Sequence, residues 1–340
     1  MKPNETRLAN CRLQIDEIDR NLLELLKKRA QVVLQVGDIK RTAGASTSHD
    51  FYDPARERAI LDKLVPQAAP FSTETIQRIF KEIIQSCRTL ESEVTLSQPR
   101  VNTAKPTLAI IGFGRFGQLW SHFFAHTHEV WVHDSRPIKD PAFRTVPLAE
   151  AGKAETVIIA VPLRQMEKTM HALAPHLAPH TVVMDVGSVK SLPAMWMAEA
   201  FPTTTTIIAT HPLFGPDSFA TSERRIAVHL VQGDETAYSR WKTYFTWRGL
   251  TLLEVDPDTH DQVMAGSQGL THIIGRTLNA FGARASLLDT QSYQALLQVM
   301  NQTCKDSPQL FQDLIHLNPH SEAAIEAFAK AFGDVMDTLA

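Results

Sequence analysis

The stretch that decides the fold of the central region is TLAIIGFGRFG, residues 107–117. Its apolar start predicts a buried strand, and the glycines that follow have the spacing G-x-G-x-x-G. A helical pattern over 118–125 comes next, and then a second strand, EVWVHD, which ends at Asp134. A strand, a glycine-rich turn, a helix and an acid at the end of the next strand together predict an α/β fold that binds a dinucleotide.

The turn and the acid also indicate which dinucleotide is bound. The glycines permit a tight turn and let a pyrophosphate approach the helix N-terminus. Asp134 would accept hydrogen bonds from the ribose hydroxyls and repel a 2′-phosphate, which favours NAD. Ser135 and Arg136 follow at once and are typical of NADP sites, so NADP stays open as the alternative. The candidate cofactor-binding residues are Gly112, Gly114, Arg115, Phe116, Gly117 and Asp134.

Further strand patterns follow this unit, over 156–162, 181–190, 203–210 and 225–231. Their alternation with helical patterns predicts a doubly wound sheet, and so a Rossmann-type nucleotide domain over 107–255. Ser188, in GSVK, and His211, in THPLFGPDS, come at the carboxyl ends of two of these strands. Open α/β sheets bind ligands at that edge, so both side chains are predicted to border the cofactor crevice. An ordinary turn histidine is the alternative for His211.

Composition excludes several classes of protein. The 340 residues, 44% hydrophobic and 21% charged, allow two or three globular domains. A net charge of −3 gives no reason to expect nucleic acid or an anionic membrane as partner. Three scattered cysteines suit a reducing cytoplasm and argue against a disulfide framework or a metal site. No apolar run approaches the roughly 18 residues of a transmembrane helix, and no signal peptide is visible, so we expect a cytoplasmic protein.

The first ninety residues predict an all-helical module over 1–93. Apolar residues recur at three- and four-residue steps from Leu8 to about Arg41, which is typical of one long amphipathic helix. Asp53 and Pro54 have the residue types of an N-cap and first turn, and so predict a second helix. Ser72 begins a third helix that runs to about Glu93. The polar, proline-containing stretch 94–106 predicts a linker.

Basic residues on the first helix suggest a site shared between chains. Arg29 and Lys40 are eleven residues apart, so they lie about 16 Å apart on nearly one face. Arg12 lies about 25 Å from Arg29 and about 100° around the helix. It cannot easily serve the same small site within one chain, but it could reach that of an antiparallel partner. A solvated charged helix is the alternative reading of each residue taken alone.

This module resembles the all-helical class of chorismate mutase through CRLQIDEIDRNLLELLKKRAQVVLQVGDIK, residues 11–40, and YDPARERAI, residues 52–60. The resemblance covers about residues 8–93 and implies an intertwined homodimer that rearranges the dianion chorismate to prephenate. It implies that Arg29, Lys40 and Arg56 bind the carboxylates and the ether oxygen, and that the partner chain lends Arg12. It also implies that Asp53 and Glu57 hold the substrate hydroxyl.

Three features depart from the pattern of that family. The loop before Asp53 is a few residues longer, and Cys87 stands where many members carry serine. Glu91 stands where many carry glutamine, although members fused to a dehydrogenase often have glutamate. A glutamate must be protonated to donate a hydrogen bond to the ether oxygen, so mutase activity is expected to fall as pH rises through the pKa of Glu91. These departures leave open a module reduced to a dimerisation element.

The remainder, about residues 107–340, resembles the prephenate and arogenate dehydrogenases through GFGRFG, DVGSVK, THPLFGPDS and HDQVMAGSQGLTH. The resemblance implies an NAD-dependent oxidative decarboxylation on the route to tyrosine. His211 would be the base, and Ser188 would orient it or the nicotinamide. A helical region over 256–340 would form the dimer core and close the site. His272 matches the histidine that contacts the substrate in that family, whereas His260 is expected at the domain junction.

The residue at position 302 leaves prephenate and arogenate as alternative substrates. Gln302 stands where many prephenate dehydrogenases carry an arginine that grips the side-chain carboxylate, and plant-type enzymes also lack it. Lys190, Arg276 and Lys305 are the candidates for the missing charge. The full prediction is a multidomain chain with an all-α three-helix mutase module, an α/β Rossmann-type domain and an all-α dimerisation domain. Two rivals are a non-enzymatic nucleotide sensor and a β-hydroxy acid dehydrogenase, and the HPLFGPD turn is not the signature of the latter.

Overall fold

The structure is a computed structural model, and it describes residues 3–42, 53–97, 105–216 and 224–339. The longer loop before Asp53, most of the predicted linker and the last two residues of THPLFGPDS lie outside these ranges. The chain divides into two compact units. One unit comprises Met1–Ala104 with Lys242–Gly249, and the other comprises Lys105–Trp241 with Leu250–Ala340.

The first unit has the three predicted helices, α1 Pro3–Thr42, α2 Pro54–Leu64 and α3 Thr73–Ser97. The Asp53 carboxylate caps α2 by accepting from the Arg56 N–H at 2.9 Å. The Ser72 hydroxyl caps α3 by accepting from the Thr75 N–H at 3.2 Å. Helix α3 continues four residues beyond its predicted end, because nothing in 94–97 breaks a helix and the first proline is Pro99.

Helix α1 packs against α3, but much of its apolar surface stays open. Ile15, Ile18 and Leu22 lie along one stripe of α1 and are 55%, 56% and 53% exposed. Apolar residues along one stripe of a helix normally cover a neighbouring element. In the single chain, this stripe of α1 has more apolar surface than α3 covers.

The second unit is built on an eight-stranded sheet with the order β3-β2-β1-β4-β5-β6-β7-β8. The strands are β1 Thr107–Ile111, β2 Glu129–His133, β3 Arg144–Thr145, β4 Thr156–Ile159, β5 Val182–Asp185, β6 Thr206–Pro212, β7 Arg225–Gln232 and β8 Thr251–Glu254. The predicted doubly wound sheet is confirmed, except that β7 runs antiparallel to β6. Gly215 and Pro216, soon after β6, are poor residues for the crossover helix that a parallel neighbour needs.

Some helices lie between the strands in the chain and pack on the sheet, and others come after the last strand. Those among the strands are α4 Arg115–Ala125, α5 Leu148–Ala151, α6 Leu163–Leu173, α7 Ser191–Ala200 and α8 Glu235–Trp247. Strands β4 and β5 are buried along their whole length and β1 is buried from Leu108 onward, which explains why they are continuous apolar runs rather than alternating ones. Met166 and Met170 of α6 pack with Val157 and Ile159 of β4 in this core.

The C-terminal residues are helical, as predicted. They form α9 Pro257–Met264, a π-helical turn Ala265–Gly269, α10 Leu270–Phe281, α11 Gln291–Cys304, α12 Pro308–His316 and α13 Ser321–Asp337. Gly282 ends α10 in the left-handed conformation, with φ +81°. Phe281, Leu287 and Leu288 are strongly exposed. In the ranges that the structure describes, no helix has the length and apolar content to span a membrane.

Candidate active site

The glycine turn between β1 and α4 has the shape that a dinucleotide requires. Gly112 has φ +103°, and a Cβ there would meet the Ala160 carbonyl carbon at 2.6 Å. A Cβ on Gly117 would meet the Gly112 oxygen at 1.9 Å, so both positions need glycine. Among the residues that the structure describes, none fills the space beside Gly114 and no side chain caps α4 there. The N-terminus of α4 therefore borders an open space, and the turn has the shape that suits a pyrophosphate.

Asp134 follows β2 and holds this turn. One carboxylate oxygen accepts from the Phe113 N–H at 2.8 Å, and the other accepts from the Arg136 N–H at 2.9 Å. Burial alone would raise the pKa of Asp134, but these hydrogen bonds and the Arg136 charge together lower it. Asp134 is therefore ionised near neutral pH, as a ribose-binding carboxylate must be. Arg136 lies largely exposed beside it.

His211 is the next-to-last residue of β6, so it lies within the strand rather than after it. It pairs with Ala227 of β7 and is 3% exposed. Its Nδ1 lies 2.9 Å from Nε2 of His260 on α9. His260 Nδ1 in turn lies 2.8 Å from an Asp261 carboxylate oxygen. His260, which the sequence indicates only as a junction residue, is thus in direct contact with the predicted base.

The protonation of His211 is set by its surroundings. Burial lowers its pKa well below the ordinary value, and the nearby His260 and Lys190 lower it further by charge repulsion. His211 is therefore neutral at physiological pH and has a lone pair available to accept a proton. Asp261 was not among the predicted residues. Its place directly after His260 was the only local signal in the sequence.

Lys190 is buried beneath this site. Its ammonium forms an ion pair with Asp185 at the end of β5 and donates to the Thr210 carbonyl at 2.6 Å. Its backbone N–H donates to Asp261 at 2.7 Å. These contacts lie immediately beside the His211 backbone. The structure thus places Lys190 where its charge supports the strand that carries His211.

Three other candidates have fewer contacts. Ser188 is half-buried in the loop after β5, and within the described residues the hydrogen-bond partner of His211 is His260 and not Ser188. Gln302 on α11 and Lys305 after it are exposed. In the described ranges, no group of three histidine, cysteine or acidic side chains is placed to hold a metal ion.

His272 belongs to a second polar cluster, on α10. It is 4% exposed, its Nδ1 has no partner among the described residues, and its Nε2 lies 3.6 Å from an Asp306 carboxylate oxygen. Gln268 and Arg276 lie four residues to either side on the same helical face, and each has a buried polar atom that no described residue contacts by a hydrogen bond. Arg276 also donates to the Asp306 carbonyl and stacks over Phe311. Buried atoms left without partners suggest that a ligand completes them.

The π-helical turn changes how the two histidines are related. Twelve α-helical steps would set His260 and His272 about 120° apart around the helix axis. A π turn holds one extra residue, which reduces that angle to about 20°. The Ser267 hydroxyl donates to the Val263 carbonyl of α9 at 2.6 Å, and the Thr271 hydroxyl donates to the Ser267 carbonyl of the turn at 2.8 Å. Both imidazoles therefore project from nearly the same side of the α9–α10 segment.

The first unit has its own polar cluster. Glu91 of α3 is 5% exposed, and its Oε1 lies 4.0 Å from the Lys40 ammonium of α1. Cys87, one turn before Glu91, is buried. One guanidinium nitrogen of Arg29 is buried and has no hydrogen-bond partner within the part of the chain that the structure describes. Burial raises the pKa of Glu91, although the charges of Lys40 and Arg88 oppose that shift.

Other residues of this module are brought together only in part. Glu57 accepts a 2.7 Å hydrogen bond from Arg88, a cation that the sequence prediction omitted although it lies next to Cys87. Arg56 is exposed, and the carboxylate of Asp53 caps α2. Arg12 is exposed on α1, seventeen residues before Arg29. Its position is compatible with a role in another chain.

Three families match parts of the chain. Residues 11–92 match chorismate mutase type II, and residues 138–226 match the prephenate dehydrogenase nucleotide-binding domain. Residues 277–340 match the TYRAAT1-like C-terminal domain. The first matched range includes Lys40 and Glu91 of the polar cluster in the helical unit, and the second includes Lys190 and His211.

Relatives match at low identity over long stretches. The T-protein of Enterobacter agglomerans is 26% identical over 98% of this chain and 88% of its own length. Arogenate dehydrogenase 2, chloroplastic, of Arabidopsis thaliana is 27% identical over 75% of this chain and 76% of its own length.

Among solved structures, a prephenate dehydrogenase from A. aeolicus in complex with hydroxyphenyl propionate and NAD+ aligns with a TM-score of 0.58. It is 15% identical, and the match covers 71% of this chain and 92% of the other. A Synechocystis arogenate dehydrogenase aligns with a TM-score of 0.54 at 16% identity, over 68% of this chain and 91% of the other. At these identities the matches show the fold, and the predicted fold class is confirmed.

Proposed function

Because this chain joins a type II chorismate mutase domain to the nucleotide-binding domain of the prephenate dehydrogenases, we propose that it converts chorismate to prephenate and then oxidises prephenate with NAD. The observation that carries the proposal is the presence of both domains on one chain. Each contains a buried polar cluster of the kind its chemistry needs. The products would be 4-hydroxyphenylpyruvate, CO₂ and NADH.

In the oxidation, His211 is the base. His211 Nδ1 is hydrogen-bonded to His260, so Nε2 is the nitrogen that accepts the proton of the ring hydroxyl. At the same time a hydride leaves the ring carbon that carries this hydroxyl. A bound nicotinamide supplies the acceptor for that hydride. The bond to the ring carboxylate then breaks and releases CO₂, and its electron pair restores the aromatic ring. The proton returns to the phenolic oxygen, so His211 ends the cycle neutral.

The cofactor would lie over the glycine turn. The open N-terminus of α4 would hold the pyrophosphate through Gly114, Arg115 and Phe116. The ionised Asp134 would accept from the ribose hydroxyls. Its negative charge supports NAD over NADP because it would repel a 2′-phosphate, whereas the exposed Arg136 beside it supports some use of NADP.

Substrate recognition would fall to the face of α10 that carries Gln268 and His272. Their unpartnered buried atoms supply an acceptor and a ring nitrogen for polar groups of the substrate. Ser188 would orient His211 or the nicotinamide, as the family resemblance implies. We assign Lys190 to supporting the His211 strand, since its ammonium is already paired with Asp185.

The mutase step needs no nucleophile, because the rearrangement is pericyclic. It requires a compact substrate conformer and stabilisation of charge that develops on the ether oxygen. Lys40 and Glu91 lie close enough to face one such oxygen, and Arg29 supplies a free buried donor. Glu57 would have to exchange its contact with Arg88 for the substrate hydroxyl. The other proposed substrate-binding residues of this site are Arg56, Asp53 and the Arg12 of a partner chain.

We also propose a cytoplasmic homodimer. The exposed apolar stripe of α1 and the exposed Leu287 and Leu288 after α10 support pairing with a second copy. The proposed domains remain 1–93 for the mutase, 94–106 for the linker, 107–255 for the nucleotide domain and 256–340 for the helical domain.

Steady-state kinetics test the whole proposal. Chorismate loss is followed by absorbance without cofactor, and NADH or NADPH formation is followed with prephenate and with arogenate. We expect turnover of chorismate, and of prephenate with NAD. The second candidate is an arogenate-preferring NAD(P) enzyme whose helical module only dimerises, which the exposed Gln302 and the arogenate dehydrogenase relatives favour. Stable chorismate together with faster oxidation of arogenate would select it.

Mutase activity is expected to fall as pH rises through the pKa of Glu91. The protonated carboxyl is the form that donates to the ether oxygen, and its raised pKa keeps that form to higher pH than usual. The activity is therefore full below this pKa and lost above it. Glu91→Gln, which donates at every pH, is expected to flatten the profile between about pH 5 and pH 8. A flat wild-type profile combined with an inert Glu91→Ala substitution would contradict the assignment.

Asp134→Asn is expected to lower kcat/KM with NAD by about 10- to 100-fold, because it removes a charged acceptor for the ribose hydroxyls. The loss with NADP should be smaller, since the repulsion of a 2′-phosphate also disappears. Initial rates with both cofactors measure the difference. Arg136→Ala is the matched control and should leave the NAD rate nearly unchanged. Equal losses with both cofactors would instead assign Asp134 only to holding the Phe113 N–H of the turn.

A further inference from the structure

Three buried groups are connected in a row behind the proposed base. His211 Nδ1 lies 2.9 Å from His260 Nε2, and His260 Nδ1 lies 2.8 Å from Asp261 Oδ1. His211 and His260 are each 3% exposed, and Asp261 is fully buried. Water therefore does not compete for these hydrogen bonds, and their directions are fixed by the groups themselves.

The Asp261 carboxylate determines those directions. Its two oxygens accept from the Lys190 N–H at 2.7 Å and the Ser191 N–H at 2.8 Å. Burial would raise the pKa of Asp261, but the hydrogen bonds from His260, Ser191 and Lys190 outweigh that and lower it. Asp261 is thus ionised and can only accept. The Asn318 side chain also donates to its backbone carbonyl at 2.8 Å, which holds this end of α9 in place.

The proton positions follow by elimination. Because Asp261 accepts, His260 Nδ1 must carry a hydrogen, and when the His260 ring holds this single proton its lone pair is on Nε2. That lone pair can only accept from His211, so His211 carries its hydrogen on Nδ1. The lone pair of His211 is therefore on Nε2, the nitrogen that the oxidation requires. This assignment rests on the hydrogen-bond geometry of the buried row.

We propose that His260 is a positioning residue that keeps His211 in the Nδ1–H tautomer and takes over the Nδ1 proton while the substrate's proton is on Nε2. The proposal rests on the proposed dehydrogenase function. In the forward step an O–H bond of the substrate breaks and an Nε2–H bond forms on His211. The Nδ1–H bond of His211 breaks as an Nε2–H bond forms on His260. The reverse transfers return the proton to the phenolic oxygen.

The charges around the row favour this transfer. A positive charge that stayed on His211 would be buried and close to the Lys190 ammonium, which already disfavours it. Moving the charge to His260 places it 2.8 Å from the Asp261 carboxylate and farther from the reacting ring. The additional positive charge then stays on His260 until the ring becomes aromatic and the phenolic oxygen takes up the proton.

Kinetics of two His260 substitutions test the proposal. His260→Leu removes the acceptor and is expected to lower dehydrogenase kcat by about a hundredfold, with KM for NAD and prephenate nearly unchanged. His260→Gln keeps an amide oxygen near the Nε2 position and should recover about a tenth of the wild-type kcat or more. His320→Leu is the matched control, because His320 forms a 2.8 Å pair with Asp258 of the same helix but has no contact with His211. Its rate should equal the wild-type rate.

Nitrogen-15 NMR of the histidine-labelled full chain tests the tautomer directly. The His211 signals are assigned by their absence in His211→Asn. We expect the Nδ1–H tautomer in the wild type, and loss of that preference in His260→Leu. An Nε2–H tautomer in the wild type overturns the proposal, as does an equal kcat loss in both His260 variants without a tautomer change. If His260→Leu does not fold, the wild-type tautomer and the His260→Gln rate still decide. The expected tautomer in a chain that does not oxidise prephenate or arogenate would contradict the proposed function instead.

Discussion

His211→Asn is expected to lower dehydrogenase turnover by at least about a hundredfold and to leave chorismate turnover unchanged. Asparagine retains an amide N–H that can donate to His260 in place of Nδ1–H, so the buried row keeps its first hydrogen bond. It has no basic nitrogen at the position of Nε2, so the ring hydroxyl loses its proton acceptor. The loss should therefore appear in kcat for prephenate oxidation, without loss of stability from an unpaired His260.

The measurement compares NADH formation from prephenate with chorismate loss in the absence of cofactor. His171→Asn is a suitable control, since His171 is an exposed histidine on α6 and should have no effect. Parallel loss of both activities in His211→Asn would indicate misfolding or a single shared site. A dehydrogenase rate close to the wild-type value would remove His211 from the mechanism.

Lys40→Met is expected to have the opposite selectivity and to lower mutase kcat/KM by roughly 100- to 1000-fold. The Lys40 ammonium lies 4.0 Å from the buried Glu91 carboxyl, so the substitution removes the cation that would face the developing negative charge. Methionine retains a similar length and apolar stem, so the packing of α1 on α3 should persist. Prephenate oxidation should be unchanged, because every residue assigned to it lies in the other unit.

Lys27→Met is the matched control on the same helix. Lys27 is exposed and pairs with Glu24 one turn earlier, a contact that contributes little to stability. Its substitution should leave both activities near the wild-type level. Unchanged chorismate turnover in Lys40→Met would contradict the proposed mutase site and would favour a module that serves only for dimerisation.

Local patterns in the sequence were sufficient to predict the helices and strands and the glycine turn proposed to bind the cofactor. Asp53 and Ser72 cap helices where their residue types predict, and the glycine spacing at 112–117 places a helix N-terminus beside an open space. These features depend on neighbours within a few residues, which is the range over which sequence patterns carry information.

Long-range pairing could not be predicted in the same way. His211 and His260 are 49 residues apart, and nothing local to either indicates the other as its partner. The sequence indicates Lys190 only as an available charge, because its burial against Asp185 depends on strand order. Arg88 and Gln268 were missed for a related reason. Their roles depend on which helical face is buried, and that is settled by packing with other elements.

The π-helical turn at Ala265–Gly269 has a consequence for comparing this chain with its relatives. It takes up one residue without changing the phase of the helix on either side, because the extra residue widens a single turn. A relative with a regular α-helix and eleven steps between the two histidines would present them at the same mutual angle. Alignments across this segment should therefore be judged by helical phase, since a one-residue gap there preserves the positions of His260 and His272.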